Sequence, residues 1–438
     1  MEYMDGFVGR VNELDELEKL YKRRSGSCAI SGRRHMGKTS IISKFCEDKK
    51  HIYLCGTKGL ASDNYRLIVN ELSRFAGRNV ILHDIIDLFP TLVNLCGMNK
   101  VVVVLDRYSV LKANFPVIDS QLKDFMVRGL NNTHIMLVVA DEDSAIFDRF
   151  YINIDVKKMG FRECAGFHPD YTPRQNMMVY SIVGGVPVYH SQFVDDPRTV
   201  MRTKMFDPLS FFSLEAEGFF NNDSGGNQFT VMSALASGAY NSKMVSDKTR
   251  YTTSVCNKVL EDLYNRDILV REEGGRFQGH KYFIGSYLLK FYFEVVNKYS
   301  HVAEYYGSEA AFDQATESIM RYLDGTFKEI CIEYVDNNYD VKDVSRIRGR
   351  DLTDVPKADF CATVFKDDVK RTLYATCRLD GAPIGMNEFG RLKDFAREHN
   401  GTNRMYVLFS GCGFTEELIA EEGRSSNIKL ITLEMLYE

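Results

Sequence analysis

One eight-residue run, Gly32-Arg33-Arg34-His35-Met36-Gly37-Lys38-Thr39, restricts the fold of this chain more than any other feature. It fits the spacing GxxxxGK[ST] at every fixed position. A short apolar run, Cys28-Ala29-Ile30-Ser31, leads into it, and Ser40-Ile41-Ile42-Ser43-Lys44-Phe45 leaves it with apolar residues at helical spacing. The expected order is strand, glycine loop, helix. In that order the glycines let backbone amides curl around phosphate, Lys38 reaches the terminal phosphates, and the Thr39 hydroxyl ligates magnesium. The following helix turns its positive N-terminal end toward the anion. The loop from Gly32 to Ser40 is thus the expected seat of ATP and Mg2+, on an α/β domain with a parallel sheet.

Such a loop needs a second acid to organise the metal, at the end of a neighbouring apolar strand. Val101-Val102-Val103-Val104-Leu105-Asp106 has that pattern, which makes Asp106 the candidate. Many ATPases follow this Asp with a Glu that polarises water. Here the next residue is Arg107, which cannot accept a proton. Either another group positions the water or hydrolysis is slow. Asp141 and Glu142, just after the apolar run Ile135–Val139, are the alternatives.

A chain of 438 residues exceeds one hydrophobic core. We expect three domains, at 1–205, 206–305 and 306–438. No apolar run approaches the ~20 residues of a bilayer span, and the opening MEYMDGFVGR lacks the apolar segment of a secretory signal. A cytoplasmic protein is expected. The ten cysteines are scattered singly without a CxxC pair, so they read as buried thiols. A net charge of -5 argues against a general nucleic-acid coat, though not against a local basic face.

The polar stretch Asn221–Asn227 marks a break. Beyond it come a helix bearing Phe229, Met232, Leu235 and Ala236, a polar stretch, and a second helix bearing Val255, Val259, Leu260 and Leu263. Ile268-Leu269-Val270, the turn Glu273-Gly274-Gly275 and Tyr282-Phe283-Ile284 follow as a hairpin. Helices followed by a hairpin make a winged helix. Its second helix would expose Arg250, Thr253, Ser254, Asn257 and Lys258, with Lys243 and Lys248 just before it, a set able to meet DNA phosphates and base edges. An internal lever or protein contact is the equal alternative. The apolar Tyr287–Phe293 is expected to be core. From about residue 310 a mixed α/β domain is expected, with strands at Lys357–Val364, Thr372–Cys377 and Met405–Phe409 and a helix at Glu388–Glu398.

The chain resembles the archaeal-type AAA+/STAND ATPases that join a P-loop domain to a winged helix and a restriction-endonuclease-like domain. Four stretches carry the resemblance: Phe7-Val8-Gly9-Arg10 with Glu13–Leu17, the loop Gly32–Thr39, Tyr180–Tyr189 with its Gly184-Gly185-Val186-Pro187-Val188-Tyr189, and Tyr406–Thr415. The resemblance implies that Val8, Gly9 and Arg10 lie beside the nucleotide base, with Pro187 on the other side. An arginine finger is left open among Arg33, Arg34 and a neighbouring subunit, and the sequence singles out none.

In active relatives of the nuclease type, a helix Glu, a strand Asp and a Glu-x-Lys bind magnesium. Asp359 remains here, but Phe327-Lys328 stands for a Phe-Glu pair and Thr376-Cys377-Arg378 for Glu-Cys-Lys. A lone Asp holds a hard cation poorly. We therefore expect a degenerate nuclease fold kept for binding or regulation. Two functions are left open: an ATP-dependent switch that hydrolyses slowly, and a non-hydrolysing ATP-bound regulator of DNA or a partner chain.

Overall fold

The computed structural model describes residues 6–142, 150–220, 226–273, 280–347, 357–366, 369–399, 401 and 403–438. Its contacts divide the chain into two compact units, Met1–Met159 with Val186–Val188, and Gly160–Gly185 with Tyr189–Glu438. The boundary expected near residue 205 lies inside the second unit. No helix among the described residues is long and apolar enough to cross a membrane.

The first unit is built on five strands: β1 (Gly26–Ser31), β2 (His51–Cys55), β3 (Val101–Asp106), β4 (Ile135–Ala140) and β5 (Ile152–Asp155). They are parallel, in the order β2-β3-β4-β1-β5. The runs Val101–Leu105 and Ile135–Ala140 are apolar at every position because both faces of the sheet are covered. Val101, Val103, Leu105, Leu137 and Val139 pack on one face with Ile68, Leu72, Leu88 and Leu92. Val102, Val104, Met136 and Val138 pack on the other with Leu17, Leu20, Ile41, Ile42 and Phe45. The sheet is therefore the middle layer, and the carboxyl ends of its strands carry the loops.

The second unit holds the helical middle of the chain and a second sheet. The helix Pro173–Val183 starts in a capping box: the Thr172 hydroxyl accepts from the Gln175 amide, and the Gln175 side chain accepts from the Thr172 amide. Helices Asn227–Ala236, Ser242–Thr249 and Thr253–Asn265 precede an antiparallel hairpin of β6 (Leu269–Glu273) and β7 (His280–Ile284). The polar stretch of the sequence reading is the helix Ser242–Thr249. It buries only Val245, too narrow a face for apolar spacing to reveal, and its start is fixed by the Asn241 side chain accepting from the Met244 amide at 2.9 Å. Val255, expected inside, is 38% exposed, and Cys256 takes the buried position. Residues 221–225 and the turn glycines Gly274 and Gly275 lie outside the described residues. Tyr287–Glu294 is a helix whose Leu288, Leu289, Phe291, Tyr292 and Phe293 are buried, as expected of core.

The 31-residue helix Ser308–Asn338 is the spine of this unit. Its Tyr322 hydroxyl donates to the Ser181 carbonyl at 2.8 Å, and Glu333 accepts from the Tyr180 hydroxyl at 3.0 Å and the Phe161 amide at 3.1 Å. These bonds tie residues 160–185 to the C-terminal half. The terminal sheet has the order β12-β11-β10-β9-β8. Its strands are β8 (Asp340–Arg346), β9 (Phe360–Lys366), β10 (Val369–Arg378), β11 (Met405–Ser410) and β12 (Ile428–Thr432). The pairs β8/β9 and β9/β10 are antiparallel, whereas β10/β11 and β11/β12 are parallel, so the sheet is mixed as expected. None of the ten cysteines is in a disulfide. Cys55, Cys361 and Cys412 are only partly buried, a correction to the reading of every cysteine as core.

Candidate nucleotide site

The glycine loop joins β1 to the helix Lys38–Cys46, as its sequence requires. Gly32 and Gly37 have φ of 146° and 93°, which L side chains rarely adopt. A Cβ on Gly32 would also stand 2.6 Å from the Val156 carbonyl oxygen. His35, at φ 68°, makes a third left-handed turn in the loop. Lys38 Nζ donates to the Arg33 carbonyl at 2.9 Å and to the Gly32 carbonyl, so the ammonium lies along the inside of the loop. Burial holds its pKa below the ordinary value, and the charge of Arg107 acts in the same direction against Glu142, Asp106 and Asp141. Arg33, Arg34, Thr39 and Ser40 are exposed, while Met36 and Gly37 are half-buried.

Asp106 ends β3 with 2% exposure. Its Oδ2 accepts from the Thr39 hydroxyl at 2.8 Å and from the Tyr53 hydroxyl, and its Oδ1 accepts from the Arg107 amide at 2.8 Å. The hydroxyl and the carboxylate assigned to magnesium from the sequence are therefore in contact. Their donor set, one hydroxyl oxygen and one carboxylate, is the hard-oxygen chemistry that Mg2+ takes. Tyr53, on β2, was missed. Its only signal was a polar ring in an otherwise alternating strand, and strand order was needed to put β2 beside β3. Burial and the neighbouring Asp106 push the Tyr53 pKa far above its ordinary value, so it stays a hydrogen-bond donor.

Asp141 follows β4 and is 4% exposed. Its Oδ2 accepts from the Ser109 amide and its Oδ1 from the Glu142 amide at 2.7 Å. It therefore braces the turn after β3. Glu142 is exposed.

Arg10 is a clamp. It is 5% exposed, pairs with Glu13 at 2.9 Å, and donates to the Met36 carbonyl at 2.9 Å and the Lys157 carbonyl at 2.8 Å. It thus ties the phosphate loop to the chain after β5. Gly9 and Arg10 both have positive φ, 65° and 58°, and Val8 is half-buried. Pro187 packs at the loop, with its Cγ 3.8 Å from where a Cβ of Gly37 would sit.

In the second unit, Asp359 accepts from the Cys377 amide at 2.7 Å and pairs with Lys328 at 2.9 Å. Burial opposes the Lys328 charge, but the Asp359 carboxylate outweighs it and raises the pKa. Arg378 pairs instead with Glu388 at 3.1 Å. Among the described residues no group of three or more His, Cys, Asp or Glu side chains is placed to hold a metal ion. On the helix Thr253–Asn265 and its approach, Arg250, Thr253, Ser254, Asn257 and Lys258 are all exposed.

No protein-family profile matches the sequence, and no curated protein matches it. Solved structures with partial likeness include a Walker-type ATPase of Pyrococcus abyssi, at 13% identity over 66% of this chain and 96% of that one with a TM-score of 0.48. Cdc6p from Pyrobaculum aerophilum matches at 13% identity over 74% and 97% with a TM-score of 0.36. A STAND protein with a tetratricopeptide repeat sensor from Pyrococcus horikoshii matches at 13% over 74% and 46% with a TM-score of 0.32. Likeness of this degree carries no functional weight. The P-loop assignment of the first unit rests on its parallel strand order and on the loop geometry.

Proposed function

We propose that the first unit binds Mg-ATP on the loop from Gly32 to Ser40 and that the chain works as a nucleotide-dependent switch with slow hydrolysis. The observation that carries this reading is the 2.8 Å bond between Thr39 and Asp106 at the carboxyl edge of a parallel sheet, beside a loop whose glycines have the φ values that an amide cradle needs. In this reading Thr39 and Asp106 hold Mg2+, and Lys38 leaves its loop carbonyls to meet the terminal phosphates. The metal supplies neutralisation of phosphate charge. Val8, Gly9 and Pro187 border the base, and Arg10 keeps the loop and its flank in register. Glu142, exposed and close enough to act on Lys38, is the acid that would position water.

The domain reading of 1–205, 206–305 and 306–438 goes with this proposal, with a winged helix in the middle and a degenerate nuclease fold at the end. Its support is the order of three helices and a hairpin, and the Lys328–Asp359 pair where a metal site would need a second acid. DNA contact through Arg250, Asn257 and Lys258 is part of it. A second reading, a non-hydrolysing ATP-bound regulator, is favoured by Arg107 at the place of the water-activating acid. Phosphate release separates them. Sustained turnover that is lost in Lys38→Ala supports the switch, whereas ATP recovered intact after long incubation rejects it in favour of the second reading.

A further inference from the structure

Arg107 departs from its surroundings in its backbone and in its side chain. Its backbone is left-handed, φ 51° and ψ 52°, a conformation that costs a non-glycine residue energy and persists only where neighbours fix it. Here they do. Its amide is held by Asp106 Oδ1 at 2.8 Å, and Gly56 lies so close that a Cβ there would meet the Arg107 carbonyl oxygen at 2.7 Å and Val110 Cβ at 2.9 Å. The loop that carries Gly56 is itself fixed, since Asn64, 1% exposed, accepts from the Thr57 amide at 2.8 Å and donates to the Thr57 carbonyl at 3.0 Å.

The side chain is different. It is exposed, and among the described residues the guanidinium has no hydrogen-bond or ion-pair partner. Yet it projects from the residue next to Asp106, and Asp106 touches Thr39, the first hydroxyl after Lys38. Lys38 and Arg107 are the chain neighbours of Thr39 and Asp106, which touch each other, so two cationic residues flank one hydroxyl-carboxylate pair. A planar guanidinium suits phosphate oxygens in a two-pronged contact. Arg33 and Arg34 are exposed too, but they ride on the loop itself and not beside Asp106.

We infer that Arg107 reads the terminal phosphate of a nucleoside triphosphate seated on the Gly32–Thr39 loop, so that the site prefers triphosphate to diphosphate. The inference rests on the nucleotide reading above and adds to it. The residue that replaces a water-activating acid then has a task of its own, retention of the intact triphosphate. It is a ligand-holding side chain supplied by the same subunit.

The test is equilibrium titration of the full chain with ATP and with ADP, each with Mg2+, for the wild type, Arg107→Asn and Arg107→Lys. Asparagine tolerates the left-handed backbone, and lysine keeps the charge without the fork. Arg107→Asn should weaken ATP by about 10- to 100-fold and ADP by less than about threefold. Arg107→Lys should fall between wild type and Arg107→Asn for ATP. Equal losses for the two nucleotides, or no loss, overturn the inference while leaving the nucleotide site standing. A wild type that binds neither nucleotide overturns both. If thermal unfolding shows Arg107→Asn misfolded, the ATP-to-ADP affinity ratio of Arg107→Lys decides: a ratio equal to that of wild type contradicts the two-pronged contact.

Discussion

Asp106 and Asp359 are both shielded carboxylates at the ends of strands, yet their partners differ in kind. Asp106 accepts from two hydroxyls and one amide. Asp359 accepts from one amide and is neutralised by the ammonium of Lys328. A hydroxyl gives up its hydrogen bond to a carboxylate and turns its lone pairs to a metal at little cost. An ammonium has no lone pair to offer and must be displaced. In the proposed reading the first arrangement opens to a divalent cation, whereas the second holds an ammonium beside its acid. Elsewhere in the second unit Glu333 accepts from Tyr180 and Phe161, and His168 donates to His190 Nδ1 at 3.3 Å while His190 donates to the Gly184 carbonyl at 2.7 Å.

The largest effect is expected at Lys38. Lys38→Ala should weaken ATP by about 100-fold, since a charged contact to phosphate contributes roughly 1.5–3 kcal/mol. Asp359→Ala should leave ATP affinity unchanged in the same titration. If Asp359→Ala loses ATP as Lys38→Ala does, Asp359 belongs to the nucleotide site and the contrast with Asp106 fails.

Next is Lys328→Met, which strands the Asp359 carboxylate. Because Lys328 is 33% exposed, the expected loss is about 2–3 kcal/mol by denaturant unfolding, below the range for fully buried pairs. Lys328→Glu should make thermal stability rise with added Mn2+, which the wild-type acid site does not do. An unchanged response in Lys328→Glu would show that the ammonium is not what excludes the metal.

Acid should then separate the two units. Burial holds His168 and His190 at about 4, below the ordinary 6.5. Above pH 6.5 both are neutral in folded and unfolded chain and contribute no pH dependence. As pH falls from 6.5 toward 4, the unfolded chain binds protons that the folded chain refuses. Stability of the second unit should drop by roughly 1.4 kcal/mol per histidine per pH unit in that window. Thermal unfolding across pH 7 to 5 reads this, and a flat profile would contradict it.

The smallest effect is expected for Tyr53→Phe, which removes one of the two hydroxyls on Asp106 Oδ2. The Mg2+ dependence of ATP binding should weaken about threefold to tenfold, the value of one hydrogen bond, with nucleotide binding in EDTA unaltered.

The sequence made legible what depends on local pattern. The Gly32–Thr39 loop sits between strand and helix, and the apolar run ending in Asp106 is a strand buried on both faces. The hairpin and most of the terminal sheet were also readable from apolar runs. Contacts that depend on strand order were not. Tyr53 meets Asp106 only because β2 pairs with β3, and Arg10 meets Lys157 across 147 residues of chain. The helix Ser242–Thr249 escaped because one buried valine gives no periodicity. The strands β8 and β12 escaped for a related reason: β8 has only exposed and half-buried residues, with no buried one, and β12 is a five-residue strand. The grouping of residues 160–185 with the C-terminal half follows from Glu333 and Tyr322, whose partners no local window contains.

The most direct test of the central claim is calorimetric titration of the full chain with ATP, with Mg2+ and then with EDTA. The Thr39–Asp106 pair predicts saturable binding at one site that tightens when Mg2+ is present. Binding that is absent, or that is equally tight in EDTA, would contradict it.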